Sequence, residues 1–106
     1  MAADADFTKE VMQLLGPLED VSSRAMFGGY GIFSGGDMFA LISGAALFFK
    51  VDDSNKASYL EAGSKQYSPM PYYRVPPDVL RDREKLHEWA RASIAVARTT
   101  PKKKRR

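Results

Sequence analysis

The sequence predicts a small α+β domain, an antiparallel sheet with helices packed on it in the order αβββαββα. Apolar residues recur at helical spacing near both ends of the chain, while β-branched and aromatic segments fill the middle. Glycine pairs break that middle where hairpins belong, and nothing alternates in the β-helix-β manner of a parallel sheet. With 106 residues one core is expected, because two would each fall below the size that folds alone. The folded part is expected over residues 1–100, followed by a basic tail.

The first helix rests on Phe7, Val11, Leu14, Leu15 and Leu18, with Asp6 as its expected N-cap and Gly16-Pro17 as its stop. Val21 to Ser34 reads as β structure on both sides of Gly28-Gly29, either one strand bulged at the glycines or two short strands. Gly35-Gly36 and Ser43-Gly44 are hairpin signals flanking Asp37 to Ile42, and Ala46 to Val51 is the next strand. Asp52 and Asp53 are expected to cap a short helix from Ser54 to Ala62, closed by a left-handed Gly63. Lys65 to Tyr67 and Tyr72 to Val75 are short strands, held to the sheet edge by Pro69 and Pro71. Asp82 then caps the last helix, with Leu86, Trp89, Ala90, Ile94 and Ala97 on one stripe.

Composition bounds the function. Hydrophobic residues at 44% and charged residues at 27% lie in the globular range. The chain has no cysteine, which removes disulfides, thiolate nucleophiles and cysteine zinc sites and suits a cytoplasmic protein. No apolar run approaches the roughly 18 residues of a membrane span, and the start lacks the features of an export signal. Of 16 Lys and Arg, five are Lys102, Lys103, Lys104, Arg105 and Arg106, so residues 1–101 hold 11 basic against 13 acidic groups. The overall +3 therefore comes from the tail. That tail is able to hold nucleic acid non-specifically by counterion release, with a log-log salt slope of at most about −4.5 on duplex DNA.

Catalytic, cofactor and metal groups are not expected. Gly28-Gly29-Tyr30-Gly31 lacks phosphate-loop spacing and leads into a strand, not a helix. His87 stands alone and reads as a solvated surface residue, and no serine lies in a nucleophile motif. Both faces of the predicted sheet are apolar: Leu47, Phe49 and Val51 alternate with Ala46, Phe48 and Lys50, and Phe39 and Leu41 with Met38, Ala40 and Ile42. The second face must meet a helix of the same chain or a second subunit. Arg24, Tyr30, Tyr73 and Arg74 are the candidate contact residues, the first two for an anion or a protein and the last two for a stacked base or a protein partner.

The stretches Arg24-Ala-Met-Phe-Gly-Gly-Tyr-Gly-Ile-Phe33, Asp37-Met-Phe-Ala-Leu-Ile42, Leu47-Phe-Phe-Lys-Val-Asp52, Tyr72-Tyr-Arg-Val-Pro76 and Leu86-His-Glu-Trp-Ala90 resemble the N-terminal domain of the TfoX (Sxy) family of bacterial competence regulators. The resemblance implies a two-layer, secretion-chaperone-like fold and a non-enzymatic role. In full-length members it implies part of a transcriptional co-regulator of DNA-uptake genes, acting with a cyclic-AMP receptor protein. Those regulators continue into a second, helical domain, whereas this sequence continues into its basic tail, so a stand-alone domain is expected. A regulatory or protein-interaction module, able to self-associate, is the expected function; weak nucleic-acid binding through the tail is the alternative.

Overall fold

The structure, a computed structural model, describes residues 4–18, 20–26, 28–68 and 70–99. These form helices α1 (Ala5–Leu15), α2 (Lys56–Glu61), α3 (Pro77–Arg81) and α4 (Arg83–Thr99). The strands are β1 (Val21–Met26), β2 (Gly29–Ser34), β3 (Asp37–Ser43), β4 (Ala46–Lys50) and β5 (Tyr72–Arg74). The strands make one sheet in sequence order, each pair antiparallel. The α+β class, the antiparallel sheet and its packed helices are thus as the sequence predicts. The Val21 to Ser34 segment takes its two-strand form, and Lys65 to Tyr67 contributes one bridge, Gln66 opposite Tyr73.

Local chemistry moves several boundaries. Helix α1 starts earlier than expected because Asp4, not Asp6, accepts the Phe7 amide at 2.9 Å; Asp6 then lies in the first turn, where the helix dipole favours a carboxylate. Asp52 does not cap α2. Its carboxylate accepts the hydroxyl and the amide of Ser54, two residues on, which closes a local turn and lowers its pKa. Asp82 does cap α4, accepting the Lys85 amide at 3.2 Å.

The glycine cluster makes a hairpin where a bulge was one of the two expectations. Gly28 takes φ 74°, and the chain reverses so that Met26 pairs with Gly29. The bulge lies in β3 instead: Ile32 opposes Ala40 but Phe33 opposes Met38, which leaves Phe39 as the extra residue. Phe39 is fully buried in the core beside Phe49. Gly29 is fixed by sterics, since a Cβ there would overlap the Ile42 carbonyl oxygen of the neighbouring strand.

Helix α4 lies across β3 and β4. Its Leu86, Ala90, Ile94 and Ala97 join Phe39, Ile42, Leu47 and Phe49 in one core, to which α1 adds Val11 and Leu15. Each large side chain buried this way contributes about 1.5–3 kcal/mol. Helix α2 sends in Tyr59, whose ring meets Trp89 edge-on at 4.7 Å. His87 is not solvated as expected. It is half-buried, and its Nε2 lies 2.7 Å from the Leu14 carbonyl oxygen. A carbonyl only accepts, so that nitrogen donates, satisfying a carbonyl in the last turn of α1 that has no partner within the helix.

Two stability predictions follow from these contacts. Gly29→Ala must push β2 and β3 apart and should cost about 2 kcal/mol or more, read as a lower denaturant midpoint. Tyr59 is 1% exposed, and its hydroxyl has no hydrogen bond; the Ser93 hydroxyl donates to the Lys50 carbonyl at 2.8 Å. Tyr59→Phe removes that orphaned group and should leave the thermal midpoint unchanged or higher, whereas a fall of several degrees would mean that the hydroxyl is satisfied.

Candidate interaction surface

Strand parity sorts the sheet into two faces. Tyr30, Ile32, Ala40, Ile42, Leu47, Phe49 and Tyr73 share one, through the pairs Ile32 with Ala40, Ile42 with Leu47 and Phe49 with Tyr73. That face meets the helices. Arg24, Met26, Gly31, Phe33, Met38, Leu41, Phe48, Lys50, Tyr72 and Arg74 share the other. None of the second set belongs to the helix-packed core cluster, although Leu41 and Tyr72 are themselves buried. Of the two expected covers for the second apolar face, a helix of the same chain is absent among the described residues.

The open face is organised by its own contacts. Arg24 lies over the Phe33 ring, 5.3 Å from its centroid, a cation–π contact that holds the guanidinium down on the apolar surface. Tyr67 meets Phe48 edge-on at 5.0 Å, and the Tyr72 hydroxyl reaches across the sheet to the Met38 carbonyl oxygen at 3.4 Å. At the centre, glycine makes room: a Cβ on Gly31 would stand 2.9 Å from the Met26 sulfur and 3.2 Å from the Met38 sulfur. Both thioethers therefore fold over bare backbone. Beside them a pit of about 10 Å³ opens between Met26, Met38, Leu41 and Tyr67.

The four candidate contact residues divide. Arg24 and Arg74 stand exposed on the open face, at opposite edges of the sheet. Tyr30 and Tyr73 lie on the helix-covered side, half-buried against the core, with Tyr73 6.0 Å from Tyr59. The tail candidates Lys102, Lys103, Lys104, Arg105 and Arg106 lie outside the described residues. Sequence reasoning missed Met26, Phe33, Met38, Leu41, Phe48 and Tyr67 as a group. The two-sided apolar pattern of β3 and β4 was the available signal, but only the register with β1, β2 and the Gln66 bridge completes the set.

Charge is as unevenly placed as apolar surface. Of the 11 basic and 13 acidic residues in positions 1–101, three basic and one acidic lie in strands, leaving 8 and 12 elsewhere. The acidic one, Asp37, begins β3 beside the hairpin. Lys65 precedes Gln66, which opposes Tyr73, so Lys65 projects on the same side as Tyr67. Arg24, Lys65 and Arg74 have no carboxylate partner among the described residues.

Larger concave surfaces lie elsewhere. A cleft of about 280 Å³ between α2 and α4 is lined by Ser58, Tyr59, Glu88 and Trp89 among others, and one of about 480 Å³ along α4 by Asp82, Glu84, Lys85 and His87. His87 is already committed to Leu14. Among the described residues no three His, Cys, Asp or Glu side chains are grouped to hold a metal, and no helix is long and apolar enough to cross a membrane.

A single antiparallel meander, with every helix on one side and an apolar, cation-rimmed face on the other, defines a small two-layer α+β domain. More particularly, residues 13–97 match the family model of the TfoX N-terminal domain, and the chain belongs to that family. The match runs from within α1 to the last turns of α4. Comparison with curated proteins finds no match.

Burial of the two tyrosines predicts alkaline behaviour. Burial pushes the Tyr72 phenol from its usual 10.0 up to about 12. It pushes Tyr59 higher still. Because the folded values are raised, the unfolded chain holds fewer protons above pH 10. The stability these groups contribute is therefore full below about pH 10 and is lost as the pH rises toward 12. Phenolate absorbance should leave these two tyrosines un-ionised until the chain unfolds; full ionisation of all five by pH 11 with the fold intact would contradict the burial.

Proposed function

We propose that this domain is a non-enzymatic protein-interaction module whose contact surface is the open face of the sheet. The observation that carries the reading is the one-sided helix packing: it leaves Met26, Phe33, Met38 and Phe48 half-exposed on a structured surface. Contiguous apolar surface of this kind is rarely left without use on a folded protein. Resemblance to TfoX-type co-regulators points the same way, to regulation by contact and not by chemistry. In that role the sheet presents the surface while α1, α3 and α4 stabilise it from behind.

A photo-crosslinking residue placed singly at Phe33 or Phe48, and as a control at Glu10 on exposed α1, tests this in the native host. Discrete protein adducts are expected from the sheet positions and not from Glu10. Adducts from the helical position alone would overturn the reading.

A further inference from the structure

The open face has a chemistry that narrows what can dock on it. Its centre is apolar and deformable: the Met26 and Met38 thioethers lie over Gly31, beside Leu41 and the Phe48–Tyr67 ring pair. Unbranched thioether side chains adapt to differing apolar partners. Its rim is cationic, with Arg24 at the β1 edge, Arg74 at the β5 edge and Lys65 beyond it. Asp37 is the one carboxylate within the strands.

Size and charge together exclude the simplest occupant. Five inter-strand spacings, counting the Lys65–Tyr67 segment bridged to β5, and strands of about five residues give the face roughly 24 by 17 Å, on the order of 400 Å² in projection. A stable protein–protein interface buries about 800 Å² per partner. A second copy laid on this face would also bring Arg24 and Arg74 toward the same cations of its mate, in either direction of the strands. Single-stranded nucleic acid would meet the cations but needs free ring faces to stack on. Phe33 already carries the Arg24 guanidinium, and Phe48 and Tyr67 are packed edge-to-face on each other.

We propose that the open sheet face docks a short, acidic, amphipathic segment of a partner protein, with one apolar side chain seated against Met26 and Met38 and its carboxylates on Arg24, Lys65 and Arg74. This rests on the interaction-module reading above and names the partner chemistry. Apolar contact at the centre supplies affinity, and the rim supplies selection and a fast, salt-sensitive encounter.

The test pans random 16-residue peptides, displayed on phage, against the intact chain, with counter-selection on two variants, Phe48→Asp and R24E/K65E/R74E. The triple variant changes exposed side chains only, so it remains informative if Phe48→Asp fails to fold. The tail is present in every form and contributes equally to each. Enriched peptides are expected to combine Leu, Ile or Phe with Asp and Glu, to bind at least tenfold more weakly to the triple variant, and to weaken several-fold between 50 and 300 mM salt. Face-dependent peptides that are neutral or basic would overturn the partner chemistry and leave the docking reading standing. No face-dependent peptide at all would overturn both. A 15-nucleotide single-stranded DNA that binds with the same dependence on Phe48 and the three cations would assign the face to nucleic acid instead. Light scattering that detects a dimer lost in Phe48→Asp would assign it to a second copy.

Discussion

The packing of α4 across β3 and β4 is the constraint from which the rest of the molecule follows. Once Leu86, Ala90, Ile94 and Ala97 lie against Ile42, Leu47 and Phe49, strand parity decides the fate of every other sheet residue. Ile42 pairs with both Tyr30 and Leu47, so those residues go inward. Phe48, Leu41, Gly31 and Arg24 are then forced outward by the two-residue period of the strand. Helices α1, α2 and α3 all take places on the α4 side, through Val11, Tyr59 and Val79. Among the described residues there is helix for one face of a sheet whose sequence is apolar on both.

The bulge in β3 shows how one residue adjusts this partition. Without it, Phe33 would face Phe39 and the aromatic at 39 would point to the open side. With it, Phe39 enters the core beside Phe49 at 6.0 Å between ring centres, and Phe33 is left outside as the platform for Arg24. Core packing and surface chemistry are set by the same register shift.

Helices α1, α2 and α4 were legible in the sequence because their signals are local, whereas the short α3 (Pro77–Arg81) was not expected. A 3.6-residue stripe and an Asp cap at Asp82 need no knowledge of the rest of the chain, and even the misplaced cap, Asp6 for Asp4, misses by half a turn. The two-sided apolar pattern of β3 and β4 was legible too, and with it the need for a second cover. What covers each face was not, since that depends on where five strands and four helices meet in space. Hence Tyr30 and Tyr73 read as surface partners of Arg24 and Arg74 although they lie on the opposite side of the sheet. His87 read as solvated because its partner, the Leu14 carbonyl, is 73 residues away. A bulge in β3 carries no glycine to announce it.

Net charge is silent on placement for a related reason. Residues 1–101 hold more acidic than basic groups, yet the average hides a segregation: the strands carry the basic excess, and the rest of the body the acidic one. That arrangement resolves a difficulty the fold creates for itself. An apolar sheet face with an edge strand beside it invites pairing with its own copies, and cations on the edge and rim are a recognised way to prevent this. Strand β1, exposed along Ser22, Ser23 and Arg24, and β5 with Arg74 place such charges on both flanks. Repulsion between like rims would keep the face free while it is empty. The same cations would be neutralised by carboxylates on a docking segment, so in the proposed complex the groups that prevent self-pairing are also those that choose the partner.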